Sequence, residues 1–350
     1  MKRKAALLLG MIMILSGLLI GCGGSGNRVA NEKTTEEENN TQTEGSVKTG
    51  LAMIPSVSKS KDAGEEDGLA QADIAIAAVT VDADGKIMAC AIDAAQVKIN
   101  FGKDGKITTD LATEFASKQE LGEGYGMKNA SGIGKEWNEQ ADAFAAYCVG
   151  KTVEEVNGIA LTESGTAKDE ELAASVTLSL GGFQAIVAKA VENATESGAS
   201  ANDKLGLGVV TNIAKSKDAG DEDGLAQAYV TVTATTVDAD GKITSCVIDA
   251  VQANVNFDAT GKITTDLNAE IKTKNELGDD YGMKKASSIG KEWFEQAAAY
   301  AAYAVGKTAD EVNGTAVTEG APSDADLAAS VTVHITDFNT VITKAVCNAK

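Results

Sequence analysis

The sequence predicts an α+β protein made of two tandem homologous domains, each an antiparallel β-sheet of hairpins packed against C-terminal helices. The first observation is a long duplication: the segment Lys59-Ser-Lys-Asp-Ala-Gly recurs 156 residues later, beginning at Lys215. The second is the order inside each copy, where alternating β-branched segments come first and segments with helical spacing follow. A period of about 150 residues has the size of a whole domain. The copies are therefore assigned to residues 51–200 and 201–350, with the boundary in the small, polar segment 195–203.

Period-two alternation predicts the strands of each copy. Residues 229–237 alternate as Tyr-Val-Thr-Val-Thr-Ala-Thr-Thr-Val, and their counterpart in the first copy follows the same pattern. An Asp-x-Asp-Gly turn comes next, and residues 87–95 return as the partner strand of a hairpin. A second Asp-Gly turn further along the chain predicts another hairpin, between residues 96–101 and 107–110.

Helical spacing begins after these strands. Residues 136–149 place Trp137 and Phe144 on one face of a predicted helix. Gly150 ends that helix, and a short helix is predicted at residues 153–157. The last helix of each copy is amphipathic and is predicted at residues 183–194 and 338–349.

The N-terminus has the pattern of an export signal. Three basic residues at positions 2–4 precede an uncharged apolar run, 5–20, which is shorter than a membrane-spanning helix of about 20 residues. The run ends in Leu19-Ile20-Gly21-Cys22, which resembles the bacterial lipobox. This resemblance implies a signal peptide at 1–21 and a lipid anchor, palmitate included, on Cys22. Residues 22–50 are polar and small and predict a disordered tether. The expected location is extracytoplasmic, on the cell membrane or, in a cell that has one, the outer membrane.

Charge and composition exclude several functions. The chain carries 31 basic and 51 acidic residues, a net charge of −20. Such a charge argues against nucleic acid and anionic lipid headgroups as partners. The single histidine, His334, aligns with Ser179, so the two copies cannot share a histidine mechanism. Neither a nucleophile-elbow motif nor a His-Glu-x-x-His zinc motif is present, which disfavours a hydrolase or zinc enzyme.

Cysteines and acidic loops leave alternatives open. Cys148 and Cys347 have no counterpart in the other copy; an exported pair can form a disulfide, but the sequence does not bring them together. The turns at 82–85 and 238–241 resemble the first half of a calcium loop, although no acidic residue stands at the distal ligand position. A hairpin turn explains these Asp-Gly pairs without a metal. The acidic loops 62–67 and 218–223 are either calcium sites or solvated loops.

Three aromatic residues recur in both copies of a chain with only 4% aromatic residues. They form either part of the core or a stacking platform for a planar ligand. They are Tyr125, Trp137 and Phe183, with the partners Tyr281, Trp293 and Phe338.

The Asp-Gly-Lys-Ile hairpin, the Tyr-Gly-Met-Lys segments at 125–128 and 281–284, and a Ser/Thr element before the last helix together resemble the FMN-binding domain of bacterial surface lipoproteins and membrane redox complexes. In flavinylated members, a Ser-Gly-Ala-Thr motif presents a threonine whose hydroxyl is esterified to the FMN phosphate. Here Ala-Ser-Val-Thr ends at Thr177 and Thr332, each six residues before a phenylalanine. The glycine is absent in both copies, so noncovalent binding stays open beside covalent attachment.

The resemblance implies a lipid-anchored flavoprotein that transfers electrons to a redox partner at the membrane. Such a protein is an electron carrier or binding protein rather than an enzyme with its own catalytic residues. The alternative is a noncatalytic surface binding or adhesion module for a small solute or a protein, calcium-dependent in one variant. The implied FMN-binding residues are Thr177, Thr332, Ser175, Ser330 and the six recurring aromatic residues.

Overall fold

The computed structural model describes residues 45–350. The signal peptide, Cys22 and most of the tether lie outside the described residues, so the lipid anchor stays a prediction. The tether was expected to extend to residue 50, but the first strand begins at Ser46, and residues 46–50 belong to a sheet. In the part of the chain that the structure describes, no helix has the length and apolarity needed to cross a membrane.

Each repeat contains three long strands followed by five helices. The first repeat consists of β1 (Ser46–Ser56), β2 (Gly68–Val81), β3 (Ile87–Phe101), α1 (Lys118–Leu121), α2 (Trp137–Cys148), α3 (Val153–Asn157), α4 (Glu170–Ala173) and α5 (Gly181–Glu192). A linking strand, β4 (Thr195–Ser200), follows. The second repeat consists of β5 (Lys204–Asn212), β6 (Gly224–Val237), β7 (Ile243–Phe257), α6 (Lys274–Leu277), α7 (Trp293–Ala304), α8 (Ala309–Asn313), α9 (Ala325–Ala328) and α10 (Thr336–Asn348).

The predicted α+β class is confirmed: helices follow antiparallel strands in both repeats. These strands form two sheets, in the orders β3-β2-β1-β4 and β5-β6-β7, and two further two-residue strands, Val317–Thr318 and Ala321–Pro322, pair with each other. The expected second hairpin takes a different form, because β3 is one long strand and only an isolated bridge joins Phe101 to Ile107. The segment expected to be the boundary contains β4, which pairs with the start of β1.

The turn between β2 and β3 is held by its first aspartate. The Oδ1 atom of Asp82 accepts the backbone N–H groups of Asp84 and Lys86 at 3.0 and 2.8 Å. Gly85 adopts a φ of 80°, which an L side chain rarely tolerates. The same bonds occur at Asp238 in the second repeat. The Asp-x-Asp-Gly sequence thus forms a hairpin turn in both copies.

The two sheets pack face to face, and the helices cover their outer faces. β1 lies against β7 and β3 against β5, so the repeats are related by an approximate two-fold axis. One apolar core lies between the sheets and draws on every long strand of both repeats. At its centre, the rings of Phe101 and Phe257 stack with centroids 4.2 Å apart and planes 8° apart. Each repeat has a second core between its sheet and its helices.

The acidic loops connect the two repeats reciprocally. Asp62 Oδ1 accepts the backbone N–H of Ile263 at 2.8 Å, and Asp218 Oδ1 accepts that of Ile107 at 2.9 Å. The Ile107 N–H and the nearby Lys106 hold the pKa of Asp218 below its ordinary value. Among residues 45–350, no group of three or more His, Cys, Asp or Glu side chains is arranged to hold a metal. These carboxylates therefore act in the structure as acceptors across the repeat interface.

Because the repeats share a core, we expect Phe144→Ala, a substitution in the outer core of the first repeat, to destabilise both. Truncating a buried phenylalanine lowers the free energy of unfolding by about 3–5 kcal/mol. Trp137 lies in the first repeat and Trp293 in the second. Two variants, each with one of these tryptophans changed to Phe, therefore allow the unfolding of each repeat to be followed separately by fluorescence in urea. Both signals should shift together. Tyr300→Ala, at the equivalent position of the second repeat, is the matched control; movement of only the local tryptophan signal in each case would contradict a shared core.

Candidate functional site

Each repeat carries a cleft at the same place, between the outer face of its sheet, the helical turn α1 or α6, and the start of its last helix. Cleft 1, of about 420 Å³, is lined by Asp73, Lys118, Trp137, Ser179, Gly182 and Phe183, among others. Cleft 2, of about 440 Å³, is lined at the equivalent positions by Tyr229, Lys274, Trp293, His334, Asp337 and Phe338. Both volumes lie in the range of small-molecule pockets, about 300–1,000 Å³.

The recurring aromatic residues serve both as core and as cleft wall. Trp137 meets Phe183 edge to face with centroids 5.9 Å apart, and the second-repeat pair does so at 5.8 Å. All four of these rings are buried, but they also line the clefts. Tyr125 and Tyr281 are half-buried and lie beside the cleft lysines.

The cleft lysines, Lys118 and Lys274, were not predicted from the sequence. Lys118 Nζ lies 4.5 Å from the ring centroid of Tyr125 and 5.1 Å from that of Trp137. Such distances allow a favourable cation–π interaction. A sequence signal did exist: each lysine sits inside a capping box that recurs in both copies, Ser-Lys-Gln-Glu and Thr-Lys-Asn-Glu.

A buried aspartate anchors each lysine-bearing turn. Asp93 Oδ1 accepts the backbone N–H groups of Ala94 and Gln119 at 2.7 and 3.0 Å. Burial raises the pKa of Asp93 to about 6, although bonds from Ser117 and the two backbone groups act in the opposite direction. Asp249 plays the same part beneath α6, and burial likewise raises its pKa to about 6. Asp93 is therefore a positioning residue for the cleft lysine.

Salt bridges from the other repeat hold the same turns. Lys344 of α10 contacts Glu120 of α1 at 2.6 Å, and Lys189 of α5 contacts Glu276 of α6 at 2.5 Å. Each glutamate also accepts the N–H of its own capping residue. Since every lysine-bearing turn depends on both repeats, the clefts are products of the assembled pair of sheets.

The threonines predicted as attachment points do not line the clefts. The backbone N–H and the Oγ1 hydroxyl of Thr177 both donate to Oε1 of the buried Gln140, at 2.8 and 3.2 Å. Thr332 bonds to Gln296 in the same way, at 2.8 and 3.1 Å. The residues that follow each threonine line the clefts, but the threonines themselves do not.

The two predicted serines lie in the turns that follow α4 and α9. Both Ser175 and Ser330 are half-buried. Ser330 Oγ donates to the carbonyl of Leu327 at 3.2 Å. Neither serine lines a cleft. The structure thus brings five of the six predicted aromatic residues to the clefts, but not Tyr125 or the four predicted Ser/Thr residues.

Substitutions between the repeats give the clefts different electrostatics. In cleft 1, Asp73 forms an ion pair with Lys59 at 2.8 Å. Partial burial alone would raise the pKa of Asp73, but hydrogen bonds from Lys59 and two glutamines outweigh it and hold the pKa below its ordinary value. Cleft 2 has Tyr229 at that position, and its phenol oxygen accepts a bond from Lys274 Nζ at 2.8 Å.

The disulfide between Cys148 and Cys347 that the sequence left open is not formed. Cys148 is buried and lies beside Cys90 of β3, whereas Cys347 is exposed. A hydrogen bond with the Cys148 thiol, together with burial, raises the pKa of Cys90 well above its ordinary value. In the second repeat, Thr233 and Thr235 contact Cys246 instead.

Comparison with protein-family models, with curated proteins and with solved structures finds no match to this chain.

Asp249 predicts a specific pH dependence. It ionises near 3.8 in the unfolded chain and near 6 in the folded one, so its contribution to stability is present below pH 4 and is lost as the pH rises through 6. Asp249→Asn removes this loss. We expect the free energy of unfolding of the variant, relative to the unsubstituted protein, to rise by about 2 kcal/mol between pH 4 and pH 7.

Urea unfolding at the two pH values measures this change. Asp258→Asn is the control, because bonds from Thr260 and Lys262 hold the pKa of the exposed Asp258 below its ordinary value of 3.8, and its titration therefore lies below pH 4. The stability of that variant relative to the unsubstituted protein should change little between pH 4 and pH 7. A flat difference for Asp249→Asn would mean that the carboxyl ionises normally in the folded protein.

Proposed function

We propose that this protein is an extracytoplasmic lipoprotein that binds FMN noncovalently in cleft 1 and carries electrons at the membrane. The observation that carries the proposal is the composition of cleft 1, where an aromatic wall, a lysine and an uncapped helix N-terminus border one cavity. A lipid on Cys22 anchors the protein to the membrane, and the polar tether allows the repeats to contact a redox partner there.

The aromatic wall suits a planar ring system. Trp137 and Phe183 border the cavity, and Ile54 and Leu178 add apolar surface. A flat heteroaromatic ligand gains both apolar burial and favourable ring contacts in such a cleft. Lys118 places a positive charge at the edge of the same space, where it favours an electron-rich, anionic ligand.

The start of α5 suits a phosphate group. Gly181 and Gly182 are exposed, no side chain caps the helix, and its first turn has no acidic residue. The N–H groups and dipole of a 12-residue helix attract an anion at this end. Because Gly182 also lines cleft 1, a ligand with a ring at one end and a phosphate at the other matches both features.

The hydroxyl of Thr177 supports noncovalent rather than ester-linked binding. It donates to Gln140 and does not line cleft 1, so an ester to a ligand in the cleft would require that hydrogen bond to break. Once bound, FMN supplies the redox chemistry, and the protein supplies binding and electrostatic tuning.

Cleft 2 is expected to exclude the phosphate. Asp337 replaces Gly182 in the first turn of α10, where a carboxylate opposes a second anion. Burial raises the pKa of Asp337, whereas the nearby His334 acts in the opposite direction. The stoichiometry expected is therefore one FMN per chain.

Titration of residues 23–350 with FMN, followed by flavin fluorescence and intact mass, tests the proposal. One equivalent should bind, with no added mass on the denatured protein. Gly182→Asp, which copies the second repeat into a position with open space around it, should weaken binding at least tenfold, or about 1.4 kcal/mol.

Two further variants separate the alternatives. Asp337→Gly should create a second, weaker site, and Thr177→Ala should leave the affinity unchanged. A mass gain lost in Thr177→Ala would show covalent attachment instead. If FMN leaves the fluorescence unchanged for every variant, flavin binding is wrong, and a noncatalytic binding module is left as the function.

A further inference from the structure

Lys274 is a buried amine at the wall of cleft 2. Only 4% of the residue is exposed, and its Nζ donates a hydrogen bond to the Tyr229 hydroxyl at 2.8 Å. None of the ion pairs that the described residues form includes it. A lysine that is withdrawn from water and lacks a carboxylate partner has lost most of what stabilises its ammonium form.

Three aromatic rings fix the position of this amine. Its Nζ lies 4.6 Å from the ring centroid of Tyr229, 4.4 Å from that of Tyr281 and 4.8 Å from that of Trp293. The rings come from β6, from the turn after α6 and from α7. Because all three line cleft 2, the amine is held at the edge of open space rather than sealed in the core.

The charged and titratable groups around Lys274 do not return its pKa to the ordinary value for a lysine. Burial lowers the pKa of Lys274 to about 8, while Asp249 of β7 acts in the opposite direction. The ring faces also favour the ammonium and so limit the shift. Tyr229 is neutral, since burial raises its pKa, and Asp337 and His334 lie on the α10 side of the cleft. At pH 7 about one amine in ten is neutral, against about one in 2,500 for an ordinary lysine.

The first repeat lacks this arrangement. Lys118 is only half-buried, and the position of Tyr229 is occupied there by the carboxylate of Asp73. The replacement of an aspartate by a tyrosine therefore removes a carboxylate from the cleft wall in the second repeat alone.

A buried acceptor in cleft 2 has no donor. Gln227 is 5% exposed, and its Nε2 donates to Asn254 at 3.0 Å, but its Oε1 has no hydrogen-bond partner among the described residues. Leaving a buried acceptor unpaired is energetically unfavourable. A ligand hydroxyl reaching this atom would remove that cost.

We propose that cleft 2 binds an aromatic aldehyde that carries a hydroxyl group, and that Lys274 forms an imine with it. The amine nitrogen attacks the carbonyl carbon, a C–N double bond replaces the C–O double bond, and the carbonyl oxygen leaves as water with the two amine protons. The rings of Tyr229, Tyr281 and Trp293 cover the planar ligand, and Gln227 accepts its hydroxyl. This inference does not depend on FMN binding in cleft 1.

Reductive trapping tests the reaction directly. Residues 23–350 are incubated at pH 7 with 4-hydroxybenzaldehyde and cyanoborohydride, and adducts are located by peptide mass mapping. We expect one hydroxybenzyl group on Lys274, formed at least tenfold faster than on any other lysine, with a rate that rises to a plateau through pH 8. Labelling spread evenly over the surface lysines, with no excess on Lys274 at any pH, would overturn the proposal.

Variants then separate reactivity from binding. Lys274→Met, which removes the amine and keeps an unbranched side chain, should lose the fast adduct. Tyr229→Asp, which copies the first repeat, should slow labelling about tenfold and move its midpoint above pH 8. Gln227→Leu should abolish the preference for 4-hydroxybenzaldehyde over benzaldehyde. Labelling of Lys274 that ignores both Tyr229→Asp and Gln227→Leu would show an accessible amine without a site and would also overturn the proposal.

Discussion

The inner faces of the two sheets are almost entirely apolar, and their burial against each other is the constraint on which the rest of the structure depends. Leu51, Met53 and Ile76 of one repeat share a core with Leu207, Val209 and Val232 of the other. At roughly 25 cal/mol per Å² of apolar surface, a contact of this kind outweighs any single polar interaction in the molecule. Once the sheets are paired, the helices can lie only on the outer faces. That placement puts each cleft on the side remote from the interface.

The sequence alone predicts most of the local structure but little of the interface between the two repeats. Alternation predicted the β2–β3 hairpin, and Asp82 and Gly85 predicted its turn, because these signals arise from neighbours in the chain. Helix α3 could be predicted at its observed bounds, since Thr152 and Glu155 form a local capping box. The pairing of Phe101 with Phe257 could not be predicted, because alternation shows which face of these strands is buried but not whether that face meets helices or a second sheet.

The site residues divide in the same way. The aromatic wall, including Trp137 and Phe183, could be predicted from the sequence, because few residues of this chain are aromatic and these recur at equivalent positions in both repeats. Lys118 and Lys274 lay in a charged, capping-box context that is typical of any exposed helix start. Only the tertiary contacts show that these lysines lie over aromatic rings and that Glu120 and Glu276 turn towards the opposite repeat. The sequence shows that Asp73 in the first repeat is replaced by Tyr229 in the second, but only the structure shows that these two residues line equivalent clefts.

The reciprocal contacts of the acidic loops have an evolutionary consequence. Asp62 bonds to Ile263 and Asp218 bonds to Ile107, so each contact made by one repeat is returned by the other, as in a symmetric dimer. A shorter protein with a single repeat would expose an apolar sheet face, and pairing with an identical copy about the same axis would bury it. Gene duplication then fuses two subunits of such a dimer into one chain. Fusion frees the two halves from having identical sequences, so that one cleft can acquire Tyr229 and Asp337 while the other retains its ancestral lining or diverges separately.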